Sequence, residues 1–222
     1  MFSSIFSPTL PVTGVWRFPG ERLTNEVLLL VLSAVLFIGL SLWAAWLVCK
    51  VIRRNGYRYA KPAIILPLCG LLSLALFARF GPSVTMIQGL FLALVLLYAS
   101  CSDLTTHEVG DYVWVIILAL SLWNLSAGSL TSMCIAALAV FLPQIVPALL
   151  PPHRTFGGAD IKISTALAFL LGGLRGIIAY LVGLLIAILF VTIWGKIKRI
   201  PKKQPFALIP FLSVGAMVLF FL

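Results

Sequence analysis

The chain has 222 residues, of which 62% are hydrophobic and 10% charged, and its formal net charge is +10. Soluble domains carry about 25% charged residues, so a water-soluble fold could not cover this much apolar side chain, and lipid must solvate most of it. The basic surplus does not mark a nucleic-acid binder, because Lys and Arg fall in short clusters between apolar runs and not on one soluble face.

Residues 1–25 are rich in turn formers (Pro8, Pro11, Gly14, Pro19, Gly20) and lack the basic start of an export signal. The apolar run from Val27 is too long for a signal core and reads as a stable span. A spanning helix takes about 20 mostly apolar residues. On that measure spans are predicted at 26–49, 62–80, 84–102, 112–128, 129–150, 161–174, 176–195 and 205–222. The fold class is therefore all-α, a polytopic membrane helix bundle of about eight transmembrane helices forming one domain over 1–222. The Ala127–Gly128–Ser129 turn separates the fourth and fifth spans, and Gly172–Gly176 the sixth and seventh. Pro143, Pro147, Pro151 and Pro152 predict an irregular end to the fifth.

Basic residues set the orientation. With eight spans, loops 50–61, 151–162 and 196–204 share one face and hold twelve Lys or Arg. The other face holds four: Arg17, Arg22, Arg79 and Arg175. This asymmetry puts both termini outside and the basic loops in the cytoplasm. The remaining loop on the basic face, 103–111, carries no Lys or Arg but has Asp103, Glu108 and Asp111. With Asp160, four of the chain's six carboxylate side chains gather at two helix ends on that face; Glu21 and Glu26 are the others.

The four cysteines, Cys49, Cys69, Cys101 and Cys134, lie in or beside apolar runs without a C-x-x-C pair. They predict reduced thiols, with neither a zinc site nor a disulfide framework. His107 and His153 stand alone in separate polar loops, so no metal and no other cofactor is expected.

Asp103 ends the third apolar run and Asp160 opens the sixth, so the two can face each other across the bundle. Two neighbouring carboxylates do not both ionise cheaply; one keeps its proton, which supplies an acid and a base in one site. Peptide hydrolysis can use such a pair without a metal or a nucleophilic side chain. On residue chemistry alone, Asp160 could instead cap the sixth helix, and Asp103 could be a solvated interfacial residue.

Asp103-Leu-Thr-Thr-His-Glu-Val-Gly-Asp111 resembles the first motif of the type IV prepilin peptidase family, an Asp followed by a short loop. Gly157-Gly158-Ala159-Asp160-Ile161-Lys162 resembles the second, G-x-G-D with Lys two residues on. Pro205-Phe206-Ala207-Leu208-Ile209-Pro210-Phe211 resembles the closing Pro-Phe-x-x-x-Pro-Phe pattern, and the likeness covers 84–222. Ala159 replaces the second Gly of G-x-G-D, Thr105 stands where Arg is frequent, and Gly110–Asp111 where Pro–Asn is usual. Loop 50–61 lacks the cysteine-rich cytoplasmic domain that many members use for methylation, so methyl transfer is unsupported.

The resemblance implies an intramembrane aspartic endopeptidase of the cytoplasmic (inner) membrane, with Asp103 and Asp160 as the catalytic pair. Gly157, Gly158, Ala159 and Lys162 would support the second motif. The implied substrates are prepilins or pseudopilins, each with a short basic leader before an apolar helix. Glu108 and Asp111 would attract that leader, and the lipid bilayer is the other partner. Two further classes use similar features. A proton-coupled transporter places its carboxylates nearer the midplane, and a non-catalytic scaffold of a pilus or secretion machine needs neither aspartate.

Overall fold

The apolar runs fold as helices throughout the computed structural model, which describes residues 20–56, 61–125, 127–149, 157–198 and 206–222. The order is α1 (Gly20–Arg54), α2 (Pro62–Phe80), α3 (Val84–Thr106), α4 (Tyr112–Ser121), α5 (Ala127–Leu149), α6 (Gly158–Leu171), α7 (Gly173–Lys198) and α8 (Ile209–Phe221). A 3-10 turn, Leu122–Asn124, follows α4. No strand occurs among the described residues, and the architecture is a polytopic helix bundle.

Helices α1, α2, α3, α5 and α7 are each long and apolar enough to cross a membrane. The other three are short: α4 has 10 residues and α8 has 13, below their predicted spans, while α6 has 14, the length of its predicted span 161–174 displaced three residues toward the N-terminus. At 1.5 Å per residue they reach about 15–21 Å, against a hydrocarbon core of about 30 Å. The predicted fourth span, 112–128, shortens because the backbone tightens into 3-10 geometry after Ser121. Helix α5 differs in the other direction. It runs through Pro143 and Pro147 to Leu149, where an irregular end was expected. Pro151, Pro152, His153 and Arg154 lie outside the described residues, as do Arg58 and most of loop 196–204.

Two cores form. Phe37, Ala45 and Ile52 of α1 pack with Leu76 and Phe77 of α2 and Leu90 and Leu94 of α3. A second core joins Leu92, Leu96 and Ala99 of α3 to Val113 and Ile117 of α4, Ile163 and Leu167 of α6, and Ile209 of α8. Leucines such as Leu36, Leu71, Leu174 and Leu185 point outward and are more than half exposed. That inversion is what a chain solvated by lipid requires.

Lipid tails give apolar helices little reason to associate, so close packing and interhelical hydrogen bonds hold such bundles, at about 0.6 kcal/mol per bond on average. Four seams among the described residues have one. Ser73 Oγ donates to Ser41 Oγ across α2 and α1 (2.7 Å), and Ser100 and Ser213 share a bond across α3 and α8 (3.2 Å). Gln144 Nε2 donates to Ser164 Oγ across α5 and α6 (2.9 Å). Gln88 Nε2 donates to the Leu120 carbonyl (2.9 Å), meeting one of the carbonyls left open at the end of α4. Helices α7 and α8 touch backbone to backbone: a Cβ on Gly183 would lie 2.9 Å from Leu212 Cα, and one on Gly215 would strike Gly183 N at 2.7 Å.

Gly215→Val should therefore lower the thermal midpoint of the purified protein, by the ~1–3 kcal/mol typical of overpacking. Gly195→Val, where a Cβ meets nothing within 4 Å, should leave it unchanged. Equal midpoints for both variants would contradict the close α7–α8 seam.

Candidate active site

The last turn of α3 carries Asp103, which is only 6% exposed. Its Oδ2 accepts the backbone N–H of Ile209 at 3.0 Å. Ile209 is the first residue of α8 and Pro210 the second. The first N–H groups of a helix have no partner within it, and Pro is well suited to that position because it has none to lose. The sequence at 209–210 thus starts a helix and leaves one N–H free to meet a carboxylate.

Beyond Asp103 the chain turns sharply. His107 takes a left-handed conformation (φ 54°), the only non-glycine among the described residues to do so, and its N–H closes on the Asp103 carbonyl at 3.0 Å. Ser102 Oγ and Thr106 Oγ1 both donate to the Glu108 carbonyl, at 2.7 and 3.0 Å, which folds the loop back over the end of α3. Gly110 lies under the Tyr112 ring, which a Cβ would strike. At the loop's far end Asp111 Oδ1 accepts from Lys162 Nζ at 2.6 Å. The bond and charge of Lys162 hold the Asp111 carboxyl below the usual carboxylate range.

Asp160 sits in the first turn of α6, whose N-cap is Gly157. Its carboxylate folds back toward Gly157, so a Cβ there would lie 2.9 Å from Asp160 Oδ2. Gly157 is thus explained by the carboxylate beside it and not by its backbone angles (φ −69°). Gly158 has no such restriction, with nothing within 4 Å of a Cβ. Burial pushes the Asp160 carboxyl up to about 6, the Asp103 charge adds to the rise, and the Gly157 N–H opposes it. Each carboxylate therefore lies in the other's field, where α3, α6 and α8 meet. Tyr180 of α7 is also within electrostatic reach of Asp160.

Residues 90–195 match the model of the type IV leader peptidase family. Over this stretch the chain is similar to that family. It is a membrane-embedded peptidase, a hydrolase of peptide bonds. The matched region holds both aspartate motifs and stops short of the α8 pattern. No curated protein and no solved structure matches the chain significantly.

The sequence motifs map onto the peptidase unevenly. Asp103 and Asp160 lie within electrostatic reach of each other. Lys162 bonds Asp111 and so ties the two motif loops to each other. Asp111 is therefore engaged, while Glu108 is exposed and its carboxylate forms no ion pair among the described residues. Ala159 packs half-buried between Gly158 and Asp160. Among the described residues no three His, Cys, Asp or Glu side chains cluster as a metal site would need. Cys49, Cys69 and Cys101 are buried free thiols, and Cys134 is free and exposed. Sequence reasoning missed the backbone of Ile209, although the closing Pro-Phe pattern and the helix-starting Pro210 both pointed at that segment.

Because the folded chain holds the Asp160 proton more tightly than an unfolded Asp near 3.9, this group favours the fold below about pH 4. That contribution is lost as pH rises to about 6. Asp160→Asn should remove this part of the pH dependence of the melting temperature and leave the variant the more stable one above pH 6. Parallel profiles for both proteins would show that Asp160 is not buried beside a second carboxylate.

Proposed function

We propose that this peptidase is an aspartic endopeptidase in which Asp103 is the general base and Asp160 the general acid. The observation that carries the reading is the pair itself, two carboxyls in each other's field within a family of leader peptidases. Burial raises both carboxyls above the usual carboxylate range. At Asp103 the N–H of Ile209 opposes the rise and favours the ionised form. At Asp160 the Asp103 charge adds to the rise, which favours the protonated form.

Water attacks the scissile carbonyl carbon and gives its proton to Asp103, while Asp160 gives its own to the carbonyl oxygen. The tetrahedral diol then collapses. Asp103 passes its proton to the leaving nitrogen as the C–N bond breaks, and Asp160 recovers a proton from the diol. The pair returns to its starting state, and one water has been consumed.

The family description, type IV leader peptidase, supports a substrate of prepilin or pseudopilin type, cut between a short basic leader and an apolar helix. Glu108, exposed and without a cation partner among the described residues, is placed to attract such a leader. The charge asymmetry of the loops supports cleavage at the cytoplasmic face of the inner membrane, with both termini outside. Nothing in the chain supports methylation of the new N-terminus.

Co-expression with a prepilin, read by the mass of its processed N-terminus, tests this. Asp103→Asn and Asp160→Asn should each abolish conversion at equal membrane levels. Glu108→Gln should slow it modestly, more so at low salt. Normal conversion by either Asn variant removes that residue from the pair.

The pH profile supplies a second test. Conversion should be bell-shaped, falling as pH rises through about 6 where Asp160 gives up its proton, with both limbs belonging to the pair. A profile flat from pH 5 to 9 would contradict an acid–base pair.

A further inference from the structure

A groove of about 630 Å³ runs between α1, α3 and α4, on a different face of the bundle from the two aspartates. Ala44, Leu47 and Val51 of α1, Val95 of α3, and Ile116 of α4 line it. Its volume lies in the range of ordinary ligand sites. One end is polar: Tyr112 Oη donates to Tyr98 Oη at 2.6 Å, and Asn55 Nδ2 donates to the same oxygen at 3.2 Å. No acidic residue lines the groove.

The basic residues at the end of α1 divide by face. Arg54 lies three residues from Val51 and seven from Leu47, so it stands beside the lining stripe. Arg53 is turned away from it by the same geometry. Lys50, Arg53 and Arg54 are exposed, and none forms an ion pair among the described residues; Lys50 Nζ rests over the Trp46 ring at 5.3 Å. The groove is thus an apolar channel open to lipid, with hydroxyl, amide and cationic groups at one end.

We propose that this groove seats one anionic phospholipid, with an acyl chain along Leu47, Val51 and Val95. Its phosphate lies between Arg54 and the Asn55–Tyr98–Tyr112 cluster. A substrate helix is the weaker occupant. Tyr98 precedes Asp103 by five residues, which sets the groove about 140° around α3 from the carboxylate at 100° per residue. A peptide lying there would not present its bond to Asp103. The lipid site does not depend on the peptidase reading.

Native mass spectrometry of the full chain, released from nanodiscs of equimolar phosphatidylglycerol and phosphatidylcholine, tests the assignment. One phosphatidylglycerol should be retained preferentially. Arg54→Gln should cut that retention about five-fold, the worth of one basic residue at an anionic surface. Arg53→Gln should leave it unchanged. These side chains are exposed, so the variants keep the fold. Val95→Trp, which fills the groove, should abolish retention of both lipids, and Val95→Phe should reduce it at an unchanged melting temperature. Equal retention of the two lipids, an Arg53→Gln loss matching that of Arg54→Gln, or full retention by Val95→Trp would each overturn the proposal. So would a photo-crosslinker at position 95 that captures a prepilin peptide and no lipid.

Discussion

A carboxylate in the last turn of a helix stands at the negative end of that helix's dipole, a penalty of about 0.3–1 kcal/mol. Asp103 occupies such a position in α3 and is almost shut off from solvent. The Ile209 N–H offsets this, because a hydrogen bond to a charged group contributes about 1.5–3 kcal/mol and Ile209 begins the opposite, positive end of α8. The bond does two jobs. It makes a buried carboxylate tolerable where the chemistry needs one, and it fixes the start of α8 against the end of α3.

Other features keep those two ends in register. The Ser100–Ser213 contact joins α3 and α8 further along the seam, and the Gly183 and Gly215 contacts press α8 onto α7. Helix α6 touches α4, α5, α7 and α8 and carries Asp160 at its start. It is pinned to α5 by Gln144–Ser164 and to the α3–α4 loop by Lys162–Asp111. The exposed ion pair contributes little to stability; its value is to hold one loop beside the other. The site therefore rests on the end of α3 and the starts of the short helices α6 and α8.

The sequence made the fold class legible because hydropathy acts over whole segments: twenty apolar residues leave few alternatives to a helix in lipid. It misjudged α4 and α8, since apolar residues continue beyond Ser121 and begin before Ile209 while backbone geometry ends the helices earlier. Asp103 and Asp160 were legible because carboxylates are rare in this chain and recur at two helix ends in familiar motifs. The Asp111–Lys162 bond was not, since the residues are far apart in sequence and each alone looks like a surface charge. The role of Ile209 was hidden for another reason. It acts through its backbone N–H, a group every residue except proline carries, so side-chain identity gives no sign of it.

The central claim is that the two carboxyls share a site but not a protonation state. Isotope-edited infrared difference spectroscopy of the membrane-embedded protein, with Asp labelled at its carboxyl carbon, reads this directly. The account predicts a protonated carboxyl band at pH 5 that fades as pH rises through about 6 and is missing in Asp160→Asn. A band that persists in Asp160→Asn but vanishes in Asp103→Asn would reverse the roles, and the absence of any protonated carboxyl at pH 5 would contradict the pair.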